Sequence, residues 1–164
     1  GQLVIRGRIN AGPGWNVTIG SPNMIVAVLD TGISLTHPEF SGRILPSYDF
    51  ANNDSDPSDD EGHGTHVAGI IAAAMNNGQG STGIAPGVKI LPVKVMNNLG
   101  HGSWGWVADG IIYATDHGAR VINMSLGGTT TGYLMTDAVR YAAERDVVMV
   151  AASGTRDTNQ PEYP

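Results

Sequence analysis

The chain has 164 residues, 41% of them hydrophobic and 15% charged, which suits one globular domain. Its net charge of −6 and the lack of a Lys- or Arg-rich face exclude nucleic acid and anionic membranes as expected partners. There is no Cys, so disulfides and thiolate metal sites are excluded, and no apolar run is long enough to cross a membrane.

Apolar, β-branched runs alternate with helical patterns along the chain. Strands are predicted at 24–29, 89–95, 121–124 and 147–152, and helices at 64–75, 103–117 and 133–145. Strands that alternate with helices imply a parallel sheet, and nearly continuous apolar strands are typical of a sheet buried on both faces. We therefore expect an α/β fold with three layers, in which a mostly parallel sheet lies between helices.

Polar residues follow three of these strands. Asp30 comes directly after the first run, Ser125 after the third, and Ser153 after the fourth. In an open parallel sheet, ligands bind beyond the carboxyl ends of the strands. This placement predicts a site built from distant segments at one edge of the sheet, without naming its chemistry.

Asp30 and His63 are each ambiguous when taken alone. Asp30 at the end of a buried strand either has a charged partner or caps a turn. His63 opens a helical pattern between two glycines, which we interpret as space for a substrate backbone, although a His at a helix start is often structural. His66 is expected on a helix face. A His-x-x-His pair suggests a metal, but the sequence places no third ligand beside it.

Three spaced segments together are much more specific: DTG at Asp30–Gly32, HGTHVAG at His63–Gly69 and NMSLGG at Asn123–Gly128. This pattern resembles the subtilisin-like serine proteases of the bacterial subtilisin and thermitase type, and the resemblance runs from about residue 9 to residue 164. It implies a subtilisin-like fold and a serine endopeptidase with an Asp-His-Ser triad. His63 would accept the proton of the serine, and Asp30 would orient and stabilise the imidazole.

The nucleophile of this family lies in a Gly-Thr-Ser-Met segment, which the 164 residues do not contain. We therefore expect residues 1–164 to be a partial catalytic domain, incomplete at its C-terminus and inactive by itself. The resemblance places Ser125 in a substrate-binding strand, so it is not taken as the nucleophile.

The resemblance also assigns a substrate cleft. Its residues are Gly100, Gly102, Trp104, Ser125, Leu126, Gly127, Ala152 and Gly154. Trp104 would line an apolar subsite, although a core aromatic is an equal alternative. Where the family usually reads Ala-Gly-Asn, this chain has Ser153–Gly154–Thr155. Thr155 therefore takes the oxyanion-hole position with a shorter donor than the usual Asn, which predicts a weakened protease.

Two loops resemble calcium sites of the family, since hard oxygen ligands at short intervals suit Ca²⁺. The acidic loop offers Asp49, Asn52, Asp54, Asp56 and Ser58, and its alternative is a solvated loop. The second loop offers Met75, Asn77, Gln79 and Ser81, with Glu39 where the family more often has Asp. The expected cofactor is structural calcium.

The family resemblance implies polypeptide substrates, a prodomain as a further partner, secretion, and a monomer when the domain is complete. One alternative is a non-catalytic, peptide-binding relative of the same fold, which the Thr at position 155 and the absent serine would allow. A plain α/β binding domain does not account for three spaced motifs and two calcium-type loops.

Overall fold

The structure is a computed structural model that describes residues 9–129, 132–154 and 163. Its strands are β1 (Ile25–Asp30), β2 (Lys89–Lys94), β3 (Val121–Met124) and β4 (Val148–Ala151). Its helices are α1 (Ala11–Trp15), α2 (His63–Ala72), α3 (Trp104–Asp116) and α4 (Tyr133–Ala143), with a short 3-10 helix at Pro38–Phe40. Every strand and helix predicted from the sequence is present, with ends shifted by at most three residues, whereas α1 and the 3-10 helix were not predicted.

The four strands form one parallel sheet in the order β2-β1-β3-β4. In the register of this sheet, Val26 of β1 pairs with Ile90 of β2, and Ala27 pairs with Ile122 of β3. Parallel neighbours need crossover connections, and α2, α3 and α4 lie in the sequence between the strands that they connect. In this order β1 and β3 are the two inner strands of the described sheet.

Alternate side chains of β1 point into two separate cores. Ala27 and Leu29 belong to the core that contains Ile111 of α3, while Val28 belongs to the core that contains Ala68 of α2. Because successive residues of a strand point to opposite faces, helices cover β1 on both sides. This arrangement confirms the expected three-layer α/β fold.

β4 differs from the expected burial on both faces. Val148 and Val150 are 58% and 50% exposed, whereas Val28 and Leu29 of β1 are almost fully buried. Within the described residues, β4 pairs with β3 alone and forms the edge of the sheet, so fewer side chains cover it. No helix in the described part of the chain combines the length and apolarity needed to cross a bilayer.

The carboxyl ends of the strands meet at one edge of the sheet. Asp30, the last residue of β1, pairs in register with Lys94, the last residue of β2. Ser125 follows β3 directly, and the N–H of Ala152, just beyond β4, donates to the carbonyl of Met124 at 3.1 Å. This edge gathers the polar residues that the sequence analysis singled out.

Candidate active site

Asp30 and His63 form a direct pair at this edge. Asp30 is fully buried at the end of β1, and His63 is the first residue of α2. Nδ1 of His63 lies 2.7 Å from Oδ1 of Asp30, and the N–H of Thr31 donates to the same oxygen at 2.8 Å. Because an ionised carboxylate only accepts hydrogen bonds, Nδ1 carries the proton and Nε2 is left to exchange one.

The environment shifts the pKa of both partners. Burial raises the pKa of Asp30, although the hydrogen bonds from His63 and the Thr31 N–H oppose that rise. The hydrogen bond with Asp30 raises the pKa of His63 above 6.5, while partial burial acts in the opposite direction. A histidine that acts as a general base requires such a carboxylate, which orients the imidazole and stabilises its protonated form.

Asp59 connects the end of β1 to the beginning of α2. Its carboxylate accepts hydrogen bonds from the Thr31 hydroxyl at 2.8 Å, the Gly62 N–H at 2.8 Å and the Thr65 N–H at 2.9 Å. Burial alone would raise the pKa of Asp59, but these hydrogen bonds and that of the Thr65 hydroxyl lower it to about 2. The Thr31 hydroxyl in turn accepts from the Gly64 N–H at 2.9 Å. The hydrogen bonds of Thr31 and Asp59 therefore form a frame that joins the end of β1, where Asp30 lies, to the first turn of α2, where His63 lies.

Two backbone segments approach each other so closely at position 64 that only a glycine fits there. A Cβ at position 64 would lie 2.2 Å from the carbonyl oxygen of Gly32 and 3.1 Å from the Cβ of Asp30. Our interpretation that this glycine leaves room for substrate is therefore wrong, since Gly64 is buried against β1. Gly62, by contrast, has a φ of 110°, which favours glycine.

A cleft of about 690 Å³ opens beside His63. Six residues predicted from the sequence line it together with the imidazole: Gly100, Gly102, Trp104, Ser125, Leu126 and Gly127. Thr31 and Gly128 also line it and belong to the DTG and NMSLGG segments, whereas sequence reasoning assigned no site role to the further lining residues Glu61, Met96, Ser103 and Val107. Glu61 could have been expected to line the cleft, because it lies only two residues before His63 in the sequence.

Trp104 lies between the core and the cleft. Its half-buried ring packs against the core formed with α3 and also lines the cleft. A Cβ at Gly128 would lie 2.9 Å from Cζ2 of Trp104, so the indole needs a glycine at that position. Ala152 and Gly154 follow β4 and are not among the residues that line this cleft, and Thr155 lies outside the described residues.

The acidic loop is closed largely by its own hydrogen bonds. The buried carboxylate of Asp49 accepts from the N–H groups of Ala51 and Asn52 and from the Asn52 side chain. Asp54 and Asp56 are exposed, and Oδ1 of Asp56 accepts from the Ser58 N–H at 3.1 Å. The oxygens of Asp49 are thus already in use, so this loop gives little structural support for a calcium ion.

The second loop offers a better fit to a cation. Glu39 is 8% exposed, and its buried Oε2 has no hydrogen-bond partner in the described structure. Asn77 donates to Oε1 of Glu39 at 3.1 Å and accepts from the Gln79 N–H at 3.0 Å. Gln79 and Ser81 line a cavity of about 540 Å³ with Glu39, whereas Met75 is half-buried after α2. No three acidic or imidazole side chains converge on one point in the part of the chain described.

Comparisons with known proteins point to a single family. The sequence profile of the subtilase family, peptidase family S8, matches residues 21–164. Thermitase from Thermoactinomyces vulgaris is 45% identical over 157 residues, which is 96% of this chain and 56% of thermitase. The thermophilic serine proteinase of Bacillus sp. (strain AK1) is 46% identical over 145 residues, or 88% of this chain and 36% of that protein.

A solved structure shows the same fold. The crystal structure of a cold adapted subtilisin-like serine proteinase superposes with a TM-score of 0.72 at 36% identity, covering 82% of this chain and 48% of that one. The chain thus spans about half the length of thermitase and of this structural neighbour.

Proposed function

Because the chain belongs to the subtilase family, we propose that the protein is a serine endopeptidase that hydrolyses polypeptides through an Asp-His-Ser triad. The observation that carries this proposal is the pairing of the buried Asp30 with His63, at 2.7 Å, on the wall of a cleft. Residues 1–164 supply the acid and the base. The nucleophile is proposed to be the serine of a Gly-Thr-Ser-Met segment, which these residues do not contain.

The proposed reaction follows from the roles of this pair. Nε2 of His63 takes the proton of the serine hydroxyl as its oxygen attacks the peptide carbonyl carbon, and it then gives that proton to the departing amine. Water hydrolyses the acyl-enzyme by the same proton transfers. Asp30 remains ionised throughout and stabilises the imidazolium, as its hydrogen bond to Nδ1 requires.

Two backbone segments flank the proposed substrate path. Gly100, Gly102, Ser125 and Gly127 all line the cleft, and the family resemblance implies that the first two lie on one side of the substrate and the last two on the other. An extended peptide placed between them would add a strand, and its main-chain hydrogen bonds would provide affinity with little dependence on sequence. We propose Thr155 as the oxyanion donor, with lower turnover than an Asn would give, because its hydroxyl is shorter.

Structural calcium is a further proposal. The second loop is supported by the unpartnered Oε2 of Glu39, since a buried carboxylate oxygen needs a donor or a cation. Glu39, Asn77 and Gln79 would hold the ion there with the neighbouring positions Met75 and Ser81. For the acidic loop, the proposal depends on Asp54 and Asp56, whose carboxylates are exposed. The ion would stabilise the native fold and take no part in the chemistry.

We also propose that the protein is secreted, monomeric and made with a prodomain. One of its relatives is the cell wall-associated protease of Bacillus subtilis (strain 168), which is 44% identical over 144 residues. Fractionation of the source culture with an antibody against the protein tests the proposed location.

The test of function is a serine-directed fluorophosphonate label together with turnover of a casein-type substrate, using the protein at its full natural length. We expect labelling of one serine, loss of turnover after labelling, and loss of both in His63→Ala. Peptide binding without turnover or labelling would contradict the endopeptidase and favour a peptide-binding relative of the same fold.

A further inference from the structure

Lys94 is a buried cation at the same edge of the sheet as Asp30. It is the last residue of β2, is 1% exposed, and pairs in register with Asp30 of β1. It is not among the described residues that line the cleft, so it does not bind a substrate there. Burying an ammonium group costs free energy unless charged or polar groups bind it. The partners of Lys94 therefore indicate its role.

The ammonium group of Lys94 binds the residues on both sides of Asp59. Nζ donates to the carbonyl oxygen of Ser58 at 3.1 Å and to Oδ1 of Asp60. The backbone of Lys94 holds the beginning of the same acidic loop, since its carbonyl oxygen accepts from the Phe50 N–H at 2.8 Å. One residue of β2 is thus bound to both ends of the loop that carries Asp59.

These contacts form a closed chain with the Asp30–His63 pair. Asp59 accepts from the Thr31 hydroxyl, next to Asp30, and from N–H groups at the beginning of α2, where His63 lies. The pairing of β1 with β2 connects Asp30 back to Lys94. A shift of residues 58–60 would therefore change the contact between Asp30 and His63.

We propose that Lys94 is a positioning residue for this pair: its ammonium group holds Asp59 in place and thereby keeps His63 aligned with Asp30. The proposal rests on the proposed function, in which His63 is the general base. A small misplacement of a reacting group slows the reaction much more than it weakens substrate binding. Neutralising Lys94 should therefore lower kcat by about ten- to a hundred-fold and change KM by less than about twofold.

The pKa of His63 separates positioning from the charge of Lys94 itself. The hydrogen bond with Asp30 is the main cause that raises this pKa above 6.5. Loss of a nearby positive charge would by itself raise the pKa of His63 further, because a cation disfavours the protonated imidazole. A weakened contact with Asp30 would lower it instead. Since the two effects have opposite signs, a fall in the pKa of His63 identifies the positional effect.

The test uses the protein at its full natural length and two neutral variants, Lys94→Met and Lys94→Gln. Both should fold, because the side chain of Asp60 is 48% exposed and can be solvated, and because backbone hydrogen bonds with Ile33 also hold this segment. The control is Arg140→Met, which removes the cation of an exposed pair with Asp137. NMR titration of the His63 imidazole and steady-state kinetics on one peptide are measured for each protein.

We expect both Lys94 variants to lower kcat with little change in KM and to lower the pKa of His63, whereas Arg140→Met changes none of these. An unchanged kcat, or a pKa of His63 that rises or stays the same in the variants that fold, would overturn the inference. Failure of both variants to fold would also overturn it, because Lys94 would then be needed for the fold itself. If the unmodified protein cleaves no peptide, the endopeptidase proposal fails, and the titration still decides whether Lys94 positions the imidazole.

Discussion

The Thr31 hydroxyl donates to Oδ1 of Asp59 at 2.8 Å, across 28 positions of sequence. Thr31 follows Asp30, and Asp59 also accepts N–H groups from the first turn of α2, where His63 lies. The relative position of the acid and the base therefore depends on this one carboxylate as well as on their own contact.

Replacing Asp59 with Ala should destabilise the fold by about 1–3 kcal/mol at pH 7. The variant removes a cap of α2 and leaves the buried Thr31 hydroxyl without its acceptor. Urea denaturation of the protein at its full natural length measures the change. The control is Asp137→Ala, which breaks an exposed pair with Arg140 and should change stability by less than about 1 kcal/mol. If the two substitutions lower the free energy of unfolding equally, Asp59 does not stabilise the connection between β1 and α2.

Asp59 also predicts a loss of stability in acid. Its pKa is about 2 in the folded state against 3.8 unfolded, so its contribution is complete above about pH 4 and disappears as the pH falls toward 2. The shift corresponds to at most about 2 kcal/mol, which solvent screening of this half-exposed group reduces to on the order of 1 kcal/mol. Unfolding measured between pH 5 and pH 2 should therefore show a smaller slope in Asp59→Asn than in the unmodified protein.

Two glycines of α2 should respond in opposite ways to substitution by Ala. Gly64→Ala places a Cβ 2.2 Å from a backbone oxygen, so we expect a loss of about 3 kcal/mol or more, or a separation of His63 from Asp30. Gly69→Ala meets nothing within 4 Å and should gain up to about 1 kcal/mol from helix propensity. Thermal melts of both variants decide this, and a neutral Gly64→Ala would contradict the described packing of α2 on β1.

The sequence predicted the strands and the main helices from local patterns, and it predicted the Asp30–His63 pair from the family resemblance of three spaced segments. Apolar runs reveal buried strands, and the DTG and HGTHVAG segments mark the two side chains. The role of Asp59 has no such signal, since it depends on hydrogen bonds to Thr31 and to the backbone of α2 that only the folded chain creates. The acidic loop before α2 was interpreted only as a calcium-type site, and this hid the role of Asp59. The exposure of β4 was missed because strand patterns do not reveal which strand forms the edge.

The pKa of His63 should lie above 6.5 and should fall when Asp30 is replaced by Asn. The hydrogen bond that Nδ1 of His63 donates to the Asp30 carboxylate favours the protonated imidazole, whereas partial burial, which remains in the variant, disfavours it. NMR titration of the imidazole measures this, with Asp109→Asn as the charge-matched control. Since the base must be neutral, the acid limb of kcat/KM should move to lower pH by the same amount. An unchanged titration in Asp30→Asn would refute the pairing.

Calcium removal should lower the melting temperature by several degrees. A ligand at 100 times its Kd stabilises the native state by about 2.7 kcal/mol, and each kcal/mol corresponds to a few degrees. The effect of a chelator should shrink in Glu39→Gln and Asn77→Ala, which alter the second loop, and persist in Asp109→Asn. If the chelator leaves the melting temperature unchanged in the unmodified protein, both calcium assignments fail.

The central claim is that His63, oriented by Asp30, is the general base of a serine endopeptidase. The most direct measurement is kcat/KM on one peptide for the protein at its full natural length, for His63→Ala and for His66→Ala. His66 is exposed in the same helix and serves as the control. We predict a loss of about 10⁴-fold or more for His63→Ala and little change for His66→Ala. Activity of His63→Ala within tenfold of the unmodified protein would contradict the account.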